Sequence, residues 1–558
     1  MKLKIRYELV ILVLFFILLN WIGYANFSDN KIAHDYPFGY RSSDMTERAF
    51  MAESIKDVGH FKYLAPYITQ GLTKIIPYYY PSIEHLPVSL SIMSGLETYD
   101  TLYFIVFLMM NLSAIMMYFL IRKYNPNIAL LSLPFMTFLY LRRFLIGSAV
   151  GIWGYSAAEL FLVCTLFLFT YFENGKIYIL VSLFLVSMIH FRLSPAIVAF
   201  VFFSLYFAIK VITKKWNKEL TKKTIIMGII TIIFSSYFLI LLAGFGGQIS
   251  KSGPLIDFNK LDDQFYGTRP TDFGFLLLTI MIIGIVISLI YIKKYIIPSL
   301  IGLILIGFNY ADYLGGKIAV LFYSRAFMLP IYVAFFFGLV FYFLILLSNN
   351  IIKGKVKIKT ILTLIILTTI VLFTQFEPLQ GKEGLFNKDM WDGFKWINEN
   401  TQLNSNVLLL YGDSYDQVNM LRFIKRNPFI VQIGEIQKQI SENTIERKQN
   451  IRPIYNLFIY KKDIFSFGDL LEEQEKYDDT DQDMEHFYNY VMGRTKPMDL
   501  CSFDYYIIDK HSRYPVLISN FNNRFKELAL NKNWFSIAYE NNFLTILKND
   551  KKGAECIG

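Results

Sequence analysis

The sequence predicts an α-helical polytopic membrane protein of about eleven transmembrane helices, with a C-terminal extracytoplasmic α/β domain. Three observations predict it. Of 558 residues, 54% are hydrophobic and only 18% charged, where soluble domains carry roughly 25% charged residues; the mean hydropathy is +0.38. Apolar runs long enough to span a bilayer recur as far as residue 375. The charge is also divided. Residues 1–375 hold 32 Lys and Arg against 18 Asp and Glu, net +14, and residues 376–558 hold 23 against 27, net −4. The basic excess thus belongs to the apolar part, where it marks cytoplasmic loops and not nucleic-acid binding. Disorder and a disulfide scaffold are excluded: Cys164, Cys501 and Cys556 are far apart, and one of the three must stay unpaired.

A spanning helix needs about 20 mostly apolar residues. Spans are predicted near 9–25, 99–121, 127–145, 156–172, 176–191, 195–213, 224–244, 274–292, 295–311, 326–347 and 358–375. The first continues through Trp21 and Tyr24 with no small-residue cleavage site, so it reads as a span and not a signal peptide. Lys2, Lys4 and Arg6 precede it. Alternate loops then carry Arg122 and Lys123, Lys176, the group Lys214, Lys215, Lys218, Lys222 and Lys223, Lys293 and Lys294, and Lys353 to Lys359. With the N-terminus inside, all of these face the cytoplasm and an odd number of spans puts 376–558 outside. Arg142 and Arg143 break the pattern. The domain division is therefore 1–375, with a long first outer loop at 26–98, and 376–558.

The outer segment alternates helix and strand. Trp391–Asn398 reads as a helix. Val407–Tyr411 and Tyr505–Ile508 are short apolar strands bounded by polar residues. Trp534–Tyr539 and Phe543–Leu547 flank a polar turn, as a closing hairpin does.

Several chemistries have no signature here. There is no phosphate-binding GxxxxGK[ST] loop, no GxGxxG after a strand, no CxxC and no HExxH. Gly244-Phe245-Gly246-Gly247 ends a span and reads as the start of a loop. Asp479, Asp481 and Asp483 alternate like a calcium loop, but Met484 stands where the sharp turn needs glycine. No metal and no cofactor is predicted.

The first outer loop is more informative. Asp44 fits a helix N-cap, with Glu47 three residues on as its capping-box partner. Downstream, Pro77-Tyr78-Tyr79-Tyr80-Pro81-Ser82-Ile83-Glu84-His85-Leu86-Pro87 leads into an apolar helix, and its tyrosines suit a membrane interface. The span ending at Phe191 covers only 176–191, roughly 24 Å at 1.5 Å per residue, against a hydrocarbon core of about 30 Å. His190 and Arg192 therefore sit below the outer surface, either reaching back to headgroups or facing an anionic partner such as a lipid phosphate.

An acidic residue opening a helix after the first span, then a Tyr-Pro…His stretch before a second apolar run, resembles the GT-C superfamily. These are polytopic glycosyltransferases that use polyprenyl-phosphate-linked sugars. Ser324-Arg325-Ala326-Phe327-Met328-Leu329-Pro330 resembles the entry to a late span in such enzymes, and Trp396-Ile397-Asn398-Glu399-Asn400-Thr401 the first helix of their outer domain. Two departures narrow the branch. Between Arg142 and Ser156 there is no carboxylate, where the metal-dependent oligosaccharyltransferases carry a second acidic motif. Leu410-Tyr411-Gly412-Asp413-Ser414-Tyr415 stands in place of their WWDYG signature. The chain looks more like the metal-independent, single-sugar branch of mannosyl- and aminoarabinose-type transferases.

The resemblance implies glycosyl transfer at the outer face of the cytoplasmic membrane, from a polyprenyl-phosphate-linked sugar to a glycan, lipid or protein acceptor. It implies Asp44 as base, and Arg325, Arg192 and His190 as partners of the donor phosphate. Glu47, Glu84 and His85 would shape the site. The outer domain, which has no nucleophile–base pair, would be auxiliary. The alternatives are a transporter or flippase for a lipid-linked glycan, and an inactive scaffold of the same fold.

Overall fold

The computed structural model describes residues 7–29, 31–40, 43–59, 74–75, 82–139, 153–173, 175–249, 274–310, 329–352, 358–374, 384–410, 421–431, 446–453, 459–460, 496–510, 515–531 and 534–551. The chain divides into two compact units. One comprises residues 1–32, 103–241 and 253–381, the other residues 33–102, 242–252 and 382–558. The first outer loop therefore belongs with the C-terminal segment.

Each predicted apolar segment holds a helix. In chain order the helices are α1 (Tyr7–Ser28), α2 (Ser43–Val58), α3 (Ser82–Ser94), α4 (Thr98–Tyr124), α5 (Pro126–Leu139), α6 (Trp153–Phe169) and α7 (Ile177–Phe191). There follow α8 (Leu193–Ile212), α9 (Lys218–Ile249), α10 (Gly274–Ile290), α11 (Ile296–Tyr310), α12 (Leu329–Ile352) and α13 (Ile358–Thr374). The Gly244–Gly247 stretch, expected to open a loop, lies within α9. Among the described residues, Thr98–Tyr124 and Pro195–Ile212 are long and apolar enough to cross a bilayer, and eight more apolar helices are shorter.

Polar contacts show how the first unit is arranged. Arg122 near the end of α4 donates to Glu8 at the start of α1, at 2.8 and 2.9 Å. Further along, the amides of Asn20 and Asn111 bond each other. These two contacts make α1 and α4 antiparallel. At the same end as Arg122, Lys123 stacks on Tyr171 at 3.9 Å. Glu173 accepts from Lys210 at 2.5 Å, and its carbonyl accepts from Lys223 at 2.7 Å. The basic loops at 122–125, 170–176 and 210–223 thus share one end of the unit. α5 starts where it does because Asn125 accepts from the backbone N–H of Asn127 and Ile128, with Pro126 supplying the preset first turn. α12 packs along α5, with Phe135 and Phe337 stacked at 4.7 Å. Outward faces are apolar: Trp21 is 70% exposed, Phe200 70% and Ile212 78%. Water does not tolerate such a surface over a whole fold, and lipid does.

In the second unit, α2 packs on α3. The unit also holds α14 (Lys388–Asn400), α15 (Pro515–Asn531) and, among the described residues, strands β1 to β9: Lys74–Ile75, Asn406–Leu409, Asn427–Val431, Lys448–Pro453, Ile459–Tyr460, Lys496–Asp499, Tyr505–Asp509, Phe535–Glu540 and Leu544–Asn549. Seven of these form one sheet in the order β6-β4-β3-β2-β7-β9-β8. β2 is parallel to both β3 and β7, and antiparallel strands close both edges. The β8–β9 hairpin is the one the sequence predicts. β1, from the first outer loop, pairs antiparallel with β5. Cys501 is disulfide-bonded, and Cys164 is a free thiol.

An aromatic cluster joins the two segments of this unit. Phe423, 3% exposed, has its ring 5.2 Å from Trp391, 5.6 Å from Phe386 and 5.9 Å from Phe50 of α2. Truncating such a ring costs about 3–5 kcal/mol. Phe423→Ala is expected to lower the melting temperature followed by tryptophan emission in detergent. An unchanged melting curve would mean that the cluster does not hold the unit together.

Candidate active site

Helix α2 begins at Ser43, so Asp44 lies inside its first turn and the N-cap position falls earlier. A carboxylate there favours the helix through the dipole of the N-terminal peptide groups. The side chains of Asp44 and Glu47 lie outside the described residues, as do Arg142, Arg143, Arg325, Tyr78 to Tyr80 and Asp479 to Asp483. The described structure gives the mounting of Asp44.

That mounting is unusually polar for a buried helix. Met45, Thr46, Arg48, Ala49, Phe50 and Ala52 are all at most 3% exposed. Arg48 forms an ion pair with Glu84 of α3, which is fully buried. Burial pushes the Glu84 carboxyl above its ordinary range, against the pull of the Arg48 guanidinium. Glu84, predicted to shape the site, is thus engaged with the helix that carries Asp44. His85, next to it on α3, is on the exposed side.

Two further contacts fasten α2 at its ends. Four residues before Asp44, the buried Tyr40 donates its hydroxyl to the Tyr99 carbonyl at 2.9 Å and accepts from the backbone N–H of Leu385 at 2.5 Å. The chain passes so close that a Cβ on Gly384 would run into the Tyr40 carbonyl. At the other end, Lys425 Nζ lies 3.1 Å from Glu53 and 2.5 Å from Asp57. Thr98 adds a hydroxyl bond to Glu53 at 2.6 Å. Burial works to raise the Glu53 carboxyl, but the charge of Lys425 and the Thr98 bond outweigh it, so Glu53 titrates below its ordinary 4.5. Burial likewise works against the Lys425 ammonium, and the two carboxylates raise it above 10.5.

His190 and Arg192 come together in the other unit, at the junction of α7 and α8. Arg192 ends one helix and begins the next in an extended conformation, φ −165°. His190 Nδ1 donates to the Val186 carbonyl at 2.8 Å, which fixes the proton on that nitrogen. Gly154, in the first turn of α6, makes the close approach: a Cβ there would stand 3.0 Å from the Phe191 carbonyl and 4.0 Å from Arg192 Cδ.

The sequence reading missed Glu159. It sits on α6, fully buried, and neither carboxylate oxygen has a hydrogen-bond partner among the described residues. The sign available in the sequence was a lone acid in the apolar run Trp153–Phe169. Among the described residues no group of three His, Cys, Asp or Glu is placed to hold a metal ion.

No family model matches the chain, and no curated protein matches it in sequence. Solved structures do match over almost its whole length. ArnT from Cupriavidus metallidurans in the apo state has a TM-score of 0.53 at 10% identity, covering 99% of this chain and 100% of that one. The same protein bound to undecaprenyl phosphate gives 0.50 at 12% identity, covering 100% of both chains. The archaeal oligosaccharyltransferase AglB from Archaeoglobus fulgidus, in complex with an inhibitory peptide and a dolichol-phosphate, gives 0.52 at 14% identity, covering 99% of this chain and 75% of that one. The fold is the GT-C fold that both proteins share.

The titrations carry a sign. Glu53 is depressed, so its contribution is present above pH 4.5 and is lost as pH falls through its lower folded value. Lys425 is raised, so its contribution is present below pH 10.5 and is lost only above that. The intrinsic, rate-corrected hydrogen-exchange protection of the α2 amides is therefore expected to be flat from about pH 6 to 9, the interval inside both limits. It should drop on acidification below 4.5. Protection that instead changes near pH 7 would assign the anchoring to another group, such as the buried Glu84 carboxyl paired with Arg48.

Proposed function

We propose that the chain is a membrane glycosyltransferase that moves a sugar from a polyprenyl-phosphate-linked donor to an acceptor hydroxyl, at the outer face of the cytoplasmic membrane. The observation that carries this reading is likeness of fold, over almost the whole of this chain, to two proteins solved with polyprenyl phosphates, dolichol-phosphate and undecaprenyl phosphate. A flippase reading has no comparable support.

In the proposed reaction the acceptor oxygen bonds to the anomeric carbon as the bond from that carbon to the phosphate oxygen breaks. The electron pair leaves with the polyprenyl phosphate, and the acceptor proton passes to the Asp44 carboxylate. Cations offset the charge that grows on the departing phosphate. Arg192 and His190, at their helix junction, and Arg325 are the candidates. Glu84 shapes the site through Arg48, with Glu47 and His85 beside it on the same pair of helices. Glu159 joins the set, because an intramembrane acid marks function by default. The acceptor is a glycan, a lipid or a protein.

Two observations favour the outer face. Basic loops share one end of the first unit, as cytoplasmic loops of an eleven-span protein with its N-terminus inside would. Cys501 of the second unit is disulfide-bonded, which suits an oxidising compartment. A reporter active only in the cytoplasm, fused after residue 400, is expected to give no signal. A strong signal would change the number of spans by one.

The reaction itself is tested with purified protein and a panel of undecaprenyl-phosphoryl mannose, glucose and 4-amino-4-deoxyarabinose, following release of undecaprenyl phosphate. Turnover on one of these, unchanged by EDTA, is the expected result for the metal-independent branch. Asp44→Asn should lower turnover by about 10²–10⁴-fold, with at most about 1 kcal/mol of lost stability from the helix dipole. A fully active Asn variant would remove Asp44 from the role of base.

A further inference from the structure

The pair Lys425-Arg426 is a two-sided clamp. Lys425 reaches α2, bridging Glu53 and Asp57, which are one helical turn apart. Arg426, the next residue, holds the C-terminal end of α14. Its guanidinium donates to the carbonyls of Asn398 at 2.6 Å and Thr401 at 2.8 Å, and to the Thr401 hydroxyl at 2.8 Å. Asn398 in turn donates to the Phe423 carbonyl at 2.8 Å. The backbone at Lys425 is left-handed, φ +50°, a conformation that costs a residue with a Cβ roughly 1–2 kcal/mol. Such strain persists only where the surroundings over-determine it.

Asp44 lies between this clamp and the Tyr40 contact. Glu53 is nine residues further along α2, about 14 Å away at 1.5 Å per residue, and Tyr40 is four residues before. Both fixings come from the C-terminal segment: Lys425 on one side, Leu385 on the other.

We infer that Lys425 is a positioning residue for glycosyl transfer: through Glu53 and Asp57 it fixes α2, and with it the carboxylate of Asp44. The C-terminal segment thereby sets the geometry of a reaction to which it supplies no reacting group. This inference rests on the reading of Asp44 as base.

The test uses the full-length protein and the same undecaprenyl-phosphoryl sugars. Lys425→Met keeps the apolar stem and removes the charge. A displacement of about 1 Å at a reacting group costs on the order of 10²-fold, so kcat per folded molecule should fall by roughly 10–100-fold, while KM for the donor moves little. Exchange of the α2 amides from Met45 to Ile55 should accelerate. Lys425→Arg should restore both. In combination with Asp57→Asn, Lys425→Met should be no worse than alone, since both remove one link. If Lys425→Met does not fold, Asp57→Asn approaches the same link from α2, with the same two readouts.

Unchanged kcat in Lys425→Met overturns the inference. So does lost activity with unaltered exchange in α2, because the lysine would then act elsewhere. If Asp44→Asn is fully active, the assignment of the base fails instead, and the exchange measurement still decides whether Lys425 fixes the helix.

Discussion

A charged side chain on a buried helix must find a partner or give up its charge, and this constraint organises the second unit around α2. Of its charged residues, Arg48 takes Glu84 from α3, and Glu53 takes Thr98 from the start of α4 together with Lys425 from the C-terminal segment. Lys425 also takes Asp57. Each partner lies on a different stretch of chain, so satisfying one helix draws in two others and the segment that leads into β3. Removing one member of a buried pair typically costs 3–5 kcal/mol, because the other is left uncompensated. That cost applies to Arg48 and Glu84; the Lys425 pairs are partly exposed and each worth less, but together they tie the first outer loop to the C-terminal segment across more than 360 residues.

The first unit meets the same constraint by having few charges. Its helices bury apolar faces on each other and leave apolar faces outward. Its polar groups sit mainly at the ends, where Arg122 meets Glu8 and Lys210 meets Glu173. Side-chain amides are tolerated in the interior when they satisfy each other, as Asn20 and Asn111 do. Glu159 departs from this pattern. A fold built on apolar packing gains no stability from a fully buried carboxyl that has no hydrogen-bond partner among the described residues.

The difference between the units explains what could be read from the sequence. An apolar pattern is local and continuous, so every segment predicted to span holds a helix among the described residues. Turn chemistry is local too, and the β8–β9 hairpin was legible around Glu540-Asn541-Asn542. The contacts that mount Asp44 are not local. Nothing near Lys425 announces that it will face Glu53 and Asp57, and nothing near Glu84 announces Arg48, because ion pairing leaves no periodic trace. The helix start is two residues earlier than an N-cap at Asp44 implies, for a related reason. Several small polar residues stand here, all good capping residues, and only the observed backbone shows that the helix already begins at Ser43.

The strain at Lys425 bears on how the two segments came to be coupled so tightly. Its left-handed backbone sits one residue after the turn Leu421–Ile424, and β3 begins two residues later. A glycine would adopt that conformation at no steric cost, but it would carry no ammonium to α2. An unstrained lysine in the same turn would send the chain on in another direction, and Arg426 would lose the carbonyls of α14. The conformation is what lets two consecutive cations serve two helices at once. Its cost of about 1–2 kcal/mol is small beside the charge-assisted bonds it permits, which are worth about 1.5–3 kcal/mol each. The strained residue is therefore the point at which the C-terminal sheet, through the start of β3, takes hold of the helix that bears Asp44.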